Sequence, residues 1–415
     1  MFTKLTRFFK VGAFRNLSEL LSQGSFKYLL IGVTSHAFTL WMEIVARNWL
    51  IWEMTGSVAA VGLVNFWRTI PILFLAVPAG VLADRVNRKI ILVTTQIGIL
   101  FVYLSILALL LMDILEIWHV YSLFFLRGVM IAFNQPPRQA LIPSLVKEAD
   151  IGSAVAIQQF LFNGTRVISP IFTGLMFAFA GSALVFAVIV LFEIIVIIAW
   201  LNIKVPKDKR LGKPEKSAIK STLEGLAYVR NHRSIVILLV LGFLSLLLLQ
   251  PFMVVLPALA DERFDIGPEG FGLLVSMMGA GSLIGPLILA FMGDFQGKGA
   301  MISVTMCLSG IALVALGLAP FLILAMGVLI LVGFFDSTQR TVTNGLLLTL
   351  SEARFHGRVI SLYLLDRGFV PLGSLVAGYA AEFFGPAFAL ISMGTVLSIS
   401  VLLVLLLQPK FLFVK

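Results

Sequence analysis

Only one cysteine, Cys307, stands among the 415 residues, so no internal disulfide can form and redox chemistry does not place the chain in a compartment. Charge is sparse as well. Asp, Glu, Lys and Arg make up 13% of the residues, against roughly 25% in soluble domains. The four histidines (His36, His119, His232 and His356) are too scattered for a metal cluster. No HExxH pair, P-loop or nucleophile elbow occurs. Ten-residue alternating segments are missing, which excludes an outer-membrane barrel. No cleavable leader is expected, because the first apolar run begins near residue 28 and is too long for one. A soluble enzyme, a secreted disulfide scaffold and a disordered chain are excluded together, and neither a cofactor nor a metal is expected.

Apolar residues, by contrast, abound: 59% of the chain is hydrophobic and the mean hydropathy is +1.03. So much apolar surface requires lipid as its solvent, at about 20 residues per crossing. Twelve runs qualify, at 28–52, 58–83, 90–112, 115–137, 151–178, 182–204, 234–260, 268–293, 299–319, 321–346, 354–382 and 386–408. Their embedded Gly and Pro suit membrane helices. The expected fold class is all-α integral membrane with twelve transmembrane helices. The basic stretch 205–233 divides the runs six and six. The expected domains are therefore a six-helix bundle at 28–204, a linker at 205–233, a second bundle at 234–409 and a tail at 410–415. Residues 1–27 set Phe2, Leu5, Phe8 and Phe9 among Lys4, Arg7 and Lys10. That spacing suits an amphipathic helix on a membrane surface; a weakly ordered basic tail is the alternative.

The net charge of +10 would suggest nucleic acid in a soluble chain, but its distribution decides otherwise. With the N-terminus inside, 24 of the 31 Lys and Arg fall in cytoplasmic segments, six lie within spans and Arg263 alone falls outside. This pattern predicts a membrane protein with both termini cytoplasmic. It also predicts contact with anionic headgroups and no nucleic-acid partner.

The two halves echo one another. Gly62-Leu63 precedes Asp84 by 22 residues, as Gly272-Leu273 precedes Asp294; Arg88 and Lys298 follow at the same 210-residue offset. Arg166-x3-Pro170 is matched by Arg367-x3-Pro371. Duplicated bundles around a midplane cavity are the architecture of secondary transporters. The stretch Gly80-Val-Leu-Ala-Asp84-Arg85-Val-Asn-Arg88-Lys89 resembles the signature loop of the major facilitator superfamily. Pro257-Ala-Leu-Ala-Asp261, Gly270-Phe-Gly-Leu-Leu-Val, His356-Gly-Arg358-Val and Arg166-Val-Ile-Ser-Pro170 resemble its branch of enterobactin-exporter-like and macrolide-efflux-like exporters. The resemblance covers about 28–408. It implies two pseudo-symmetric six-helix bundles, alternating access and proton-coupled efflux by a single chain. The antiporter glycine motif is degraded, with Ser169 and Thr173 where glycines are usual.

Asp84, at the end of the second span, can face the positive N-terminal end of a neighbouring helix. The resemblance makes that neighbour span eleven, which begins at Gly357-Arg358, and sets Asp294 against span five. Gly80, Asp84, Arg85, Arg88, Lys89, Asp294 and Arg358 are thus candidates for a conformational latch; a solvated loop is the alternative.

Eleven ionisable residues fall inside spans: His36, Glu43, Arg47, Arg68, Arg127, Arg166, Glu193, Asp336, Arg340, Asp366 and Arg367. Each charge at the bilayer centre costs about 2.5–3.5 kcal/mol, so most must pair or face a wet cavity. Arg47 and Arg340 lie near span ends and can snorkel. Glu193 suits a structural partner for an arginine. Glu43, then Asp366, then Asp336 are the candidates for a carboxylate that alternates between a proton and an arginine; static Glu43–Arg47 and Asp336–Arg340 pairs are the alternative. Arg68, Arg127, Arg166, Arg367 and His36 are the candidates for lining a substrate cavity. Pro170 and Pro371 are candidate helix kinks.

The expected activity is secondary active efflux of an amphipathic or anionic organic compound, with the small substrate and protons as partners. A lipid or metabolite transporter of the same fold, and a transporter-like sensor, are the alternatives. An enzyme is not expected.

Overall fold

The computed structural model describes residues 24–146, 150–204, 224, 226–293, 295–352 and 355–414. Expectations for the segment before residue 24, for most of the linker and for Asp294 lie outside the described residues. So do those for the side chains of Asp84, Arg85, Asp366 and Arg367. Among the described residues the chain is helical and no strand occurs. In order come α1 (Gly24–Thr55), α2 (Val58–Arg85), α3 (Arg88–Leu111), α4 (Ile117–Leu145), α5 (Ile151–Asn202), α6 (Arg233–Leu244) and α7 (Phe252–Ala258). They are followed by α8 (Gly267–Met292), α9 (Lys298–Leu318), α10 (Leu322–Leu350), α11 (His356–Leu365), α12 (Val370–Phe384) and α13 (Pro386–Leu407). Among the described residues, ten helical runs are long and apolar enough to cross a membrane.

Several boundaries differ from the sequence reading for identifiable reasons. The runs 151–178 and 182–204 form one helix, α5, of 52 residues. Straight, it would reach about 78 Å, more than twice a bilayer core of about 30 Å. It turns instead at Gly181 (φ 71, ψ −175), in backbone space open essentially to glycine alone. Helix α4 passes the expected end at 137 and carries Arg138 within it. Between Arg233 and Arg263 the helix widens into π-helical turns at Ser245–Leu249 and Leu259–Arg263. Pro251 and Pro257, which lack an N–H to donate, stand beside these turns. Residues 356–384 divide into α11, a 3-10 turn at Asp366–Phe369, and α12. Pro371 therefore opens α12, where its fixed φ suits a first turn, and is not a kink inside a helix. Pro170 does lie inside α5.

Glycines bring the halves, 24–204 and 226–414, into contact along α2–α12 and α5–α8. A methyl on Gly62 would lie 2.6 Å from the Ser374 carbonyl oxygen, and one on Gly272 would lie 2.3 Å from that of Pro170. These two glycines are the 210-residue equivalents, and each meets a glycine opposite, Gly378 and Gly174 respectively. Helix α8 is wedged between α5 and α10 in the same manner: methyls on Gly279 and Gly281 would strike the carbonyls of Arg166 and Ile330. Outward-facing Phe74, Phe160, Phe179, Ile323, Phe383 and Leu406 each expose at least 71% of their area, a surface suited to lipid and not to water.

Candidate functional site

Helix α1 places Glu43 and Arg47 one turn apart on one face. Glu43 is fully buried. Its Oε1 accepts from Arg47 Nη1. Its Oε2 accepts from Arg68 Nη2 of α2 at 3.2 Å and pairs with Arg127 Nη2 of α4 at 3.1 Å. Arg127 Nε donates to the Tyr103 hydroxyl of α3 at 2.5 Å. Arg47 Nη2 donates to Asn65 Oδ1 at 2.8 Å and to Asn48 Oδ1 at 3.2 Å. One carboxylate thus ties three helices together through three guanidinium groups, by charge-assisted hydrogen bonds. Arg47 does not snorkel. Its helix continues to Thr55 and its guanidinium is 1% exposed, held by internal acceptors.

A second cluster spans the two halves. Among the described residues, Asp336 and Arg340 of α10 are the charged groups that act electrostatically on Arg166 of α5, without forming an ion pair or hydrogen bond with it. The Arg166 guanidinium carbon sits 4.9 Å from the Trp41 ring centroid, a cation–π contact. Its Nη2 lies 3.6 Å from Met278 Sδ. Arg340 Nε donates to Asp336 Oδ1 at 2.8 Å, and Gln250 Nε2 approaches Asp336 Oδ2 at 3.5 Å. Arg340 therefore does not snorkel either; it leans on a carboxylate that is itself buried. The buried Nε of Arg166 and Nη2 of Arg340 have no hydrogen-bond partner among the described residues.

Glu193 and His36 belong to a third group, within the first half. Glu193 is fully buried and accepts from Gln96 Nε2, while its Oε1 has no partner among the described residues. Asn134 Nδ2 donates to Gln96 Oε1 at 3.2 Å and to Thr95 Oγ1 at 2.9 Å. Arg127 and Arg138 are the cations that face both Glu193 and His36. No ion pair joins Glu193 to an arginine among the described residues, so the expected structural partnership is replaced by a carboxamide contact. The sequence reading missed Gln96, Tyr103, Asn48, Asn65, Gln250 and Arg138. For all but Arg138, which lies just past the expected end of its span, the available signal was neutral polar residues at helical spacing within apolar runs.

Among the described residues, polar contacts between the halves include a group where α1 gives way to α2. Trp52 Nε1 donates to Asp261 Oδ2 at 2.9 Å, and Asn48 Nδ2 donates to the Met253 carbonyl at 3.2 Å. Glu382 Oε2 accepts from Ser57 Oγ at 3.0 Å and from the Ala59 N–H at 3.2 Å, at the start of α2. Trp49 stacks on Phe271. This end carries Glu53, Asp113, Glu116, Asp261, Glu269 and Glu382, whereas Lys27, Arg88, Lys89, Lys204, Lys298 and Lys410 mark the opposite end, where α1 begins.

The sequence profile of a transmembrane secretion effector family matches residues 17–411. The chain belongs to this family of major facilitator transporters. It is 28% identical over 355 residues to the staphyloferrin A transporter of Staphylococcus aureus, covering 83% of this chain and 86% of that one. It is 27% identical over 397 residues to the enterobactin exporter EntS of Escherichia coli, covering 94% of each. A solved POT family transporter in complex with 5-aminolevulinic acid superimposes with a TM-score of 0.76 at 14% identity, over 93% of this chain and 96% of that one, and shows the fold.

In this chain the described part of the signature loop engages its own half. Lys89 Nζ donates to the carbonyls of Leu201 and Ile203 at 2.6 and 3.0 Å, a cation at the C-terminal end of α5. Asn87 caps α3 by accepting from the Lys89 N–H, and Arg88 opens that helix. A methyl on Gly80 would meet nothing within 4 Å. Arg358 of α11 pairs with Glu224 at 3.0 Å and lies over the Phe355 ring.

Proposed function

We propose that the chain is a secondary active exporter of amphipathic organic compounds, driven by proton entry, that works by rocking its two halves about a central site. The observation that carries this reading is the charged cluster of Arg166, Asp336 and Arg340, to which both halves contribute. Charges shared between two bodies suit a site exposed alternately to either side. The direction follows the names of the relatives, a siderophore transporter and an exporter. In this reading α5 supplies two spans at its Gly181 turn and α11–α12 one, making twelve. The basic end lies in the cytoplasm of a bacterial inner membrane, with the N-terminal segment on its inner leaflet. The bundles are 28–204 and 234–409, and the latch residues Gly80, Asp84, Arg85, Arg88, Lys89, Asp294 and Arg358 close the cytoplasmic side. Arg68, Arg127, Arg367 and His36 frame the cavity with Arg166.

Protons are carried by a carboxylate, with Glu43 first among Glu43, Asp366 and Asp336. A proton on Glu43 would release the guanidinium groups that tie α1 to α2 and α4, converting protonation into helix movement. The test uses energised inside-out vesicles holding a pH-sensitive dye, with acidic siderophore-like compounds and macrolides added in turn. Signals are scaled to the amount of monodisperse transporter. Substrate-dependent collapse of the proton gradient that is absent in Glu43→Gln supports the reading. Collapse that survives in that variant moves the carrier to Asp366 or Asp336. Saturable substrate flux with no proton movement overturns proton coupling.

A further inference from the structure

We infer that Arg166 and Arg340 form a clamp, one jaw on each half, for a carboxylate of the transported molecule. This rests on the transport reading above and specifies which charge on the substrate the central site recognises. Three observations carry it. The first is the pair of unused donors. Arg166 Nε and Arg340 Nη2 are buried N–H groups without an acceptor among the described residues. A buried donor left unpaired costs about 1–3 kcal/mol, and more when charged, so an absent acceptor is the natural completion of the site.

The second is charge balance. Among the described residues the cluster holds two guanidinium groups and one carboxylate, Asp336. One monoanion placed between the arginines would neutralise it while Asp336 keeps its bond to Arg340 Nε. The cluster around Glu43 also has buried donors without a partner among the described residues, Arg47 Nε and Arg68 Nε, but it lies wholly within the first half and its carboxylate already binds all three guanidinium groups. The third is the wall beside the clamp. The Arg166 guanidinium lies over the Trp41 ring, and Met278 Sδ lies beside its Nη2. An indole and a thioether next to a cation favour a molecule whose carboxylate is attached to an apolar, planar body. Planar guanidinium forks match a carboxylate in two hydrogen bonds, which an amide or an ammonium group does not reproduce.

The clamp also ties recognition to movement. A carboxylate gripped from both halves at once is held fully only while α5 and α10 are close, so opening the halves on either side weakens the grip.

The test is calorimetric binding to the full chain in lipid nanodiscs without any gradient, using 2-naphthoate, 2-naphthamide and 2-naphthylmethylammonium as probes. Naphthoate should bind about tenfold or more tightly than naphthamide, and the ammonium compound most weakly. Arg166→Gln and Arg340→Gln should each remove that preference while shifting naphthamide affinity less than about twofold. Asp336→Asn should tighten naphthoate, because the site then lacks its internal anion. Naphthoate and naphthamide binding alike in the unmodified protein overturns the clamp, as does naphthoate binding weaker than a Kd of about 1 mM. A preference that survives in both arginine variants also overturns it. Binding is read without proton flux, so the clamp can stand where proton coupling fails, and the reverse.

Discussion

Glu43 and Glu193 are both fully buried carboxyl groups of the first half, and they differ in company. Glu43 holds three guanidinium groups, whereas Glu193 holds one carboxamide and leaves an oxygen without a partner. Removing the charge of Glu43 strands three cations in the interior, a loss of about 3–5 kcal/mol for a broken buried pair. Glu43→Gln should therefore lower the melting midpoint in nanodiscs by several degrees. Glu193→Gln keeps the shape, replaces an under-bonded carboxyl with a neutral group, and should leave the stability within about 1 kcal/mol of the parent or raise it. A drop for Glu193→Gln equal to that for Glu43→Gln would show that Glu193 is an ion-pair partner after all. Charged residues at four-residue spacing were legible in the sequence as Glu43–Arg47 and Asp336–Arg340. Their other partners were not, because Arg68, Arg127 and Arg166 reach them from different helices and no local spacing encodes that meeting.

At the scale of helices, glycines decide which contacts are rigid. Gly62 and Gly272 face backbone carbonyls that cannot yield, whereas Gly98 faces the end of Met130 and Gly80 faces open space. Overpacking a rigid contact costs about 1–3 kcal/mol. Gly62→Ala and Gly272→Ala should push the halves apart at the α1–α2 end, while Gly98→Ala and Gly80→Ala should not. Spin labels at positions 113 and 321 in a Cys307→Ser background would read this as a growing population of longer distances. Equal distance distributions in all four variants would refute the assignment of the rigid contact. The equivalence of Gly62 and Gly272 was visible from the 210-residue offset alone, because duplication preserves the need for a small residue at a crossing. The π-helical turns near Pro251 and Pro257 and the 3-10 turn at Asp366–Phe369 were not visible. A proline signals a missing N–H but does not say how the neighbouring carbonyls are satisfied.

For the molecule as a whole, the separation of charge between its ends sets the orientation. A basic end inside requires that alkaline phosphatase fused after residue 415 stay inactive in a bacterial host, and that the same enzyme inserted at Asp113 be active. The opposite pattern would invert the protein in the membrane and turn the proposed exporter into an importer with respect to its closed end. The apolar pattern revealed most of the architecture, because lipid demands long uniform runs. It revealed little of the meeting between halves, which depends on a few small or neutral residues.

The acids at the α1–α2 end also bear on what happens after release. Glu53, Asp261, Glu269 and Glu382 ring the seam through which cargo would leave in the proposed orientation. An anion that has just left the clamp meets like charge within a Debye length, about 8 Å at physiological salt. The exit thus behaves as a valve that discourages rebinding without any moving part. Its strength falls as salt rises, so product inhibition by an exported carboxylate should grow with ionic strength.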